Sequence, residues 1–536
     1  MSTTIDQTAT LCEKFSATAA VYADEPALRT ADGAVAWTWR EYADRVRDVA
    51  AGLFGLGVRR GDTVALWLSN RPEFHVVDTA ALQLGAAPFS IYSTFTVEQA
   101  EHVVADAGSR VLVTEPAYLE QALAVRERGR TALELIVLVE GGDTKALAWD
   151  ELLAAAPPDF DVAAAAADVS PDDLATLIYT SGTTGAPKGV ELTHSNVVAQ
   201  CSALVEALGL EPRQRAISWL PMAHIAERLC THYIPLQLGW SVTCLDNPRG
   251  IGVLLTDVRP QFFFSPPRLW EKLRAGAIAR LGDRPDGATA LAALGLDQVR
   301  VALTGAAPCP PEVVEFWHGL GLPLCEVYGM SETTGVATVN APGAVRAGTV
   351  GRPLHGVEVA LAETGEVLMR GPVVMRGYRN RPEATAEALD ADGWMHSGDV
   401  GVFDDDGYLR IVDRIKELII SAAGKNMSPA NIEATTKSAG SIIASVCAVG
   451  DGRPYNVALV TLDAEVAATV DDPQAEVAAQ IERANEKLAR VEQIKRFAVL
   501  PVDWPSGGDE LTPTMKLKRK PIDAKYADAI EAMYAR

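Results

Sequence analysis

The sequence predicts an α/β fold. It reads as a large N-terminal domain of two α/β subdomains with a small β-rich subdomain, followed by a small α+β C-terminal domain. Three observations predict this. Short apolar runs alternate with helix-like stretches from about residue 60 to 345. Turn-and-strand patterns take over from about 347 to 412. A mixed pattern returns after that.

The elements follow in order. "DTVALWLS" reads as a strand leading to the helix-like "RPEFHVVDTAALQLG", and "SRVLVT" leads to "PAYLEQALAVRER". Further strands are expected at "DLATLIYT", "RAISWL", "WSVTCLD", "PQFFFSP", "VRVALTG" and "PLCEVYG". Strands alternating with helices imply parallel sheets covered on both faces, and there are too many here for one compact sheet. In such sheets ligands gather at the carboxyl ends of strands. The Gly/Thr/Ser-rich loops 180–189, 304–308 and 329–335 fall at such ends. "GVEVALAETGEVLMRG" reads as a hairpin turning at Thr364-Gly365, and "DDDGYLRIVDR" as another turn and strand. The alanine run "DVAAAAADVS" at 161–170 reads as a linker, and "QAEVAAQIERANEKLARVEQIKRF" as one helix.

Composition sets the limits. A chain of 536 residues, 48% hydrophobic and 22% charged, has material for several domains and a large core. A net charge of −22 argues against nucleic-acid binding and against electrostatic attachment to anionic lipid. From Asp413 onward the charges nearly balance, 16 basic against 18 acidic, and a basic cluster "KLKRK" stands at 516–520. The seven cysteines are scattered without CxxC spacing, which suits a reducing compartment and no zinc site. No apolar run is long enough for a membrane span, and "MSTTIDQTATLCEKF" lacks a secretory signal pattern. The expectation is a soluble, cytoplasmic protein.

Residues 179–190, "YTSGTTGAPKGV", pose the chemical question. Glycine, proline and small hydroxyl residues cannot sustain a helix there, but their amides and hydroxyls can wrap an anion. The spacing fails the nucleotide loop G-x-x-x-x-G-K-[ST]: only two residues separate Gly182 from Gly185, and Gly189, not a hydroxyl residue, follows Lys188. A P-loop ATPase or kinase is therefore disfavoured.

The longer string "YTSGTTGAPKGVELTH" resembles the phosphate-binding signature of the acyl-adenylate-forming superfamily, which includes acyl-CoA synthetases and luciferases. "YGMSETTG" (328–335) is similar to that family's adenine and magnesium segment, and "HSGDVG" (396–401) to its ribose segment. "GYLRIVDRIKELI" (407–419) resembles the interdomain hinge and "ELTPTMKLKR" (510–519) the C-terminal lysine loop. All five stand in the family order and span essentially the whole chain. The resemblance implies a luciferase-like architecture, with an AMP- and acyl-binding domain over 1–412 and a mobile C-terminal domain over 413–536.

It also implies roles. A carboxylate attacks the α-phosphate of ATP and expels pyrophosphate, so charge neutralisation is the central problem. Thr180, Ser181, Gly182, Thr183, Thr184, Gly185 and Lys188 would hold the phosphates. Glu332 and Thr184 would ligate Mg2+. Tyr328, Gly329 and Ser331, facing Gly305, Ala306 and Ala307, would form the adenine pocket. Asp399 would accept the ribose hydroxyls, and Arg414 would reach ribose or phosphate oxygens. Lys516 would stabilise charge in the adenylating step, although Met515 stands where the family usually has glycine. Lys416 matches the hinge position. His224, in "PMAHIAER", would wall the acyl pocket, with Glu227 and Arg228 as a paired scaffold beside it.

"HIAER", "LIISAAGKNMSPANIE" and "LTPTMKLKR" look like long-chain and bubblegum-type acyl-CoA synthetases. The implied reaction joins a long-chain fatty acid to coenzyme A, consuming ATP with Mg2+ and releasing AMP and pyrophosphate. The alternatives are a ligase for a medium-chain or aryl acid, and one passing its adenylate to a carrier protein. The expected partners are the small-molecule substrates, with peripheral membrane contact and a homodimer left open.

Overall fold

Two parallel sheets form the body of the chain. The computed structural model describes residues 9–180, 186–282, 286–422, 425–505, 507–512 and 516–535. The first sheet runs in the order Ala87–Ser90, Thr63–Trp67, Val111–Thr114, Leu135–Leu138, Leu147–Ala148, all parallel. Its three leading strands are buried at every residue, as unbroken apolar runs covered on both faces require. Helix Pro72–Gln83 follows its strand as the sequence predicts and begins on proline, whose fixed φ suits a first turn.

The second sheet places Phe262–Ser265, Val301–Thr304 and Leu324–Tyr328 in parallel and adds Thr338–Val339 and Arg352–Pro353 antiparallel. A further sheet of Arg215–Ser218, Ser241–Cys244, Pro26–Thr30 and Ala36–Thr38 abuts it, where the Gln261 N–H donates to the Arg215 carbonyl at 3.0 Å. Loops 304–308 and 329–335 therefore leave neighbouring strands of one sheet at the same end.

Three segments depart from the sequence reading. Leu174–Thr180 does not join a parallel sheet. It forms an antiparallel hairpin with Lys188–Thr193, extended by Gly377–Tyr378. The connection is too short for the dozen or more residues a parallel crossover needs. The alanine run is a helix, Val162–Ala167, because alanine is the best helix former and Asp161 caps it, accepting from the Ala163 and Ala164 N–H groups. The long C-terminal helix spans only Pro473–Lys487; Ile494–Val499 is a strand parallel to Asn456–Leu462. Its β-branched and aromatic residues find ladder partners there that a helix would forgo.

The β-rich unit is an antiparallel sheet of Glu358–Leu361, Glu366–Arg370, Met395–Phe403 and Leu409–Arg414, turning at Gly365 as expected. Two backbone bonds sew it to the second sheet. Val350 donates to the Leu409 carbonyl at 2.7 Å, and Leu409 donates back to Gly351 at 2.8 Å. All seven cysteines are buried, and burial pushes every thiol upward, Cys12 and Cys325 to about 12 and the others further. Among the described residues no helix is long and apolar enough to cross a membrane.

Gly351 has φ +80°, and a Cβ there would lie 2.0 Å from the Val339 carbonyl carbon and oxygen. Gly351→Ala is therefore expected to cost more than about 2 kcal/mol and to lower the thermal transition by several degrees. An unchanged transition would refute this close approach.

Candidate functional site

The site assembles where the second sheet, the hairpin, the β-rich unit and the C-terminal part meet. Tyr328 ends its strand, and its hydroxyl donates to Asp399 Oδ2 at 2.7 Å. Asp399 Oδ1 accepts from Arg414 Nε at 2.9 Å, across a register that pairs the two residues directly. Burial and then the Asp399 charge push the Tyr328 hydroxyl well above its ordinary range, so it stays a donor. Two predicted nucleotide contacts thus hold one carboxylate.

Strand ends shape the adjoining loops. Gly305 follows Thr304, and a Cβ there would meet Val327 Cγ2 at 2.7 Å and its carbonyl oxygen at 2.9 Å. A Cβ on Gly329 would strike the Gly335 oxygen at 2.5 Å. Both positions need glycine for close strand approach. Ala306 adopts a left-handed φ of +65°, Ala307 is exposed, and Ser331 opens the 3-10 turn Ser331–Thr333.

That turn buries Glu332, whose Oε1 accepts from Tyr378 Oη at 2.7 Å. Tyr378 sits on the short strand that pairs with Lys188–Thr193, and Lys188 Nζ lies 4.4 Å from its ring centroid. Thr180 and Lys188 face each other at the mouth of the hairpin. Ser181, Gly182, Thr183, Thr184 and Gly185 lie outside the described residues. Glu332 offers carboxylate oxygens, the ligand type a hard cation takes, and the tyrosine that donates to it also carries Lys188 over its ring.

Lys516 enters from the C-terminal part. Thr512 donates to the Lys516 carbonyl at 2.8 Å, the Lys516 N–H donates to Thr512 Oγ1 at 3.0 Å, and a bridge joins Leu511 to Leu517. The side chain stays open to water, yet protein surrounds it closely. That enclosure, and then Arg414, press its ammonium below the ordinary lysine value against the pull of Asp399, Glu332 and Glu417. Its neighbours in the basic cluster are engaged elsewhere. Lys518 donates to the Gly508 carbonyl at 2.8 Å, and Arg519 forks onto Glu433 and reaches Glu417 at 3.1 Å.

His224 caps the short helix Ile225–Arg228, its Nδ1 accepting from the Ala226 N–H at 3.2 Å. The proton therefore resides on Nε2. Enclosure, with the nearby Lys516 charge second, pushes this imidazole down to about 4, so it is a neutral donor near pH 7. Glu227 and Arg228 do not pair with each other as the sequence reading expects. Arg228 pairs with Asp78 at 2.6 Å, both wholly buried, and Glu227 accepts from the Trp219 N–H. Lys416 lies in the exposed turn 415–417, just past the strand that Arg414 ends.

Comparison with known proteins identifies the family. The family model described as AMP-binding enzyme matches residues 15–379, and the AMP-binding enzyme C-terminal domain matches 416–536. The chain belongs to the AMP-binding enzyme family. FadD11 of Mycobacterium tuberculosis is 46% identical over 73% of this chain and 78% of its own. The long-chain-fatty-acid–CoA ligase FadD15 of the same organism is 33% identical over 93% and 92%. The long-chain-fatty-acid–CoA ligase ACSBG2 of Gallus gallus is 30% identical over 98% and 81%. Among solved structures, the anthranilate CoA ligase AuaEII in complex with anthranoyl-AMP has a TM-score of 0.84 at 21% identity, covering 98% of both chains. That likeness establishes the adenylate-forming fold.

Within this AMP-binding enzyme two contacts were invisible to motif reading. Tyr378 carries the hydrogen bond to Glu332, and the only local hint is the strand-like "RGYRN". Asp78, the counter-charge of Arg228, stands 150 residues away in the helix Pro72–Gln83, whose sequence gives no sign of that partner.

The two imidazole nitrogens can be separated by substitution. His224→Asn keeps a helix cap but loses the far donor, whereas His224→Gln keeps the donor's reach. Asn is expected to lower the rate of ATP–acid activation at least tenfold with an unchanged melting temperature, and Gln to retain more activity. Equal activity in the two variants would refute a role for Nε2–H.

Proposed function

We propose that this chain activates a long-chain fatty acid in two steps, first to an acyl-adenylate and then to acyl-CoA. The observation that carries the reading is the gathering of His224, Glu332, Asp399 and Arg414 around Lys516, although the five residues come from five separate segments. Membership of the AMP-binding family supports ATP as co-substrate. The names of FadD15 and ACSBG2 support a long-chain acid and coenzyme A.

In the first step a carboxylate oxygen attacks the α-phosphorus, and the bond to pyrophosphate breaks. Asp399 accepts the ribose hydroxyls and Tyr328 offers its ring to adenine. Lys188 and the loop 180–185 hold the outgoing phosphates. Lys516 stands between the two approaching anions and stabilises the charge shared as they join. His224 donates Nε2–H to the carboxylate and, being neutral, adds no competing charge. Glu332 with Thr184 would hold Mg2+, which supplies further neutralisation on the phosphates. In the second step the coenzyme A sulfur attacks the acyl carbon and AMP departs. Residues 413–536 are proposed to turn about Lys416 between the steps, withdrawing Lys516 from the cleft.

Pyrophosphate release should be measured with ATP and Mg2+ across acetate, octanoate, palmitate, oleate and benzoate, with and without coenzyme A. Fastest turnover on palmitate or oleate, dependent on coenzyme A for thioester, is expected. Turnover on benzoate alone would overturn the acid, and release of phosphate instead of pyrophosphate would overturn the chemistry.

Lys516→Ala is expected to abolish adenylate formation yet convert supplied acyl-adenylate to thioester. Equal loss of both half-reactions would remove Lys516 from the first step.

A further inference from the structure

The turn that carries His224 is gripped from both ends by two sequence neighbours with separate partners. The strand Arg215–Ser218 ends, the chain crosses 219–223, and His224 then caps the helix containing Glu227 and Arg228. Glu227 is 1% exposed; its Oε1 accepts from the Trp219 N–H at 2.9 Å and from Thr231 Oγ1 at 2.9 Å. Ser218 and Leu220 also support its carboxyl. Arg228 is fully buried, and its Nε–H donates to the Met222 carbonyl at 3.0 Å. Its remaining nitrogens donate to Asp78 at 2.6 Å, Tyr233 at 2.9 Å and Ser90 at 3.0 Å. The second Asp78 oxygen meets His232 Nε2 at 2.9 Å.

Glu227 therefore fixes the entry of the turn and Arg228 its exit. Asp78 and Ser90 anchor the exit to the first parallel sheet and its helix. Among the described residues the only hydrogen bond to the imidazole is the Ala226 N–H, so the direction of Nε2–H is set by this turn and helix. Burying two charged side chains side by side with separate partners is costly, and buried ionic groups are poor contributors to stability compared with apolar packing. What they supply here is a fixed geometry.

We propose that Glu227 and Arg228 are positioning residues for acyl activation, clamping the turn 219–223 so that His224 presents Nε2–H to the substrate carboxylate. The inference rests on the reading that His224 faces the acyl carboxylate. Neither residue touches substrate. Burial pushes the Glu227 carboxyl up to about 7, so the entry side of the clamp changes charge near neutrality. The titratable groups facing it are the Cys230 and Cys244 thiols, both held protonated by burial. A carboxylate accepts the Trp219 N–H more strongly than a neutral carboxyl does, so acyl activation weakens as pH falls through about 7.

The test uses the full chain, with ATP, Mg2+, palmitate and coenzyme A, measuring pyrophosphate release against pH. Glu227→Gln keeps an acceptor but no charge, Glu227→Leu removes both, and Arg228→Lys keeps a cation for Asp78 but loses the fork. Glu227→Leu and Arg228→Lys are expected to lower kcat/KM for palmitate about tenfold or more while the KM for ATP stays within about twofold. Glu227→Gln should recover much of what leucine loses and lack the inflection near 7. An inflection that persists in Glu227→Gln would overturn the proposal. So would losses in which KM for palmitate and for ATP rise together in step with lost thermal stability. If the leucine variant fails to fold, Arg228→Lys decides: a fall in kcat/KM for palmitate with an unchanged KM for ATP and an unchanged thermal transition supports the clamp, and unchanged kcat/KM overturns it. A wild-type chain releasing no pyrophosphate with any acid would instead overturn the underlying reading, before any variant is compared.

Discussion

The Asp399 carboxylate joins what the rest of the site depends on. One oxygen takes the hydroxyl of Tyr328, at the end of a parallel strand, and the other takes the guanidinium of Arg414, on the strand beside its own. Hydrogen bonds to a charged acceptor are stronger than neutral ones and more directional. The tie therefore fixes the β-rich unit against the main sheet at the point proposed above for the nucleotide. The paired backbone bonds between Val350, Gly351 and Leu409 hold the same junction from behind.

Charge in the cleft is distributed with care for sign. Glu332, Asp399 and Glu417 surround the Lys516 ammonium, while Arg414 and enclosure oppose it. Tyr378 occupies one oxygen of Glu332 and lies beneath Lys188, so the acid and the cation share a single aromatic support. Deeper in, burial pushes the Asp78 carboxyl upward, but Arg228 and His232 together hold it below the usual range. The overall acidity of the chain says nothing of this local balance.

Motif reading found the strand ends and loops because their chemistry is local. Glycines at 305 and 329 are required by close backbone approach, and the hairpin turn at Gly365 by its left-handed φ. Periodicity found most strands of the parallel sheets for the same reason. It misjudged Leu174–Thr180, because an apolar run does not declare whether its partner lies parallel or antiparallel. It overran the helix Pro473–Lys487, because the partner of Ile494–Val499 is a distant strand. Long-range pairs such as Arg228 with Asp78, or Tyr378 with Glu332, leave no spacing to detect. The charges of Glu227 and Arg228 invite pairing in one dimension, and three dimensions separate them.

The buried thiols acquire a meaning beside this chemistry. An acyl-adenylate is a mixed anhydride, an electrophile that any accessible thiolate would intercept. All seven cysteines are enclosed, and their acidity is suppressed until none is ionised near neutral pH. A chain proposed to hold such an intermediate thus carries no sulfur nucleophile of its own to compete with an incoming one.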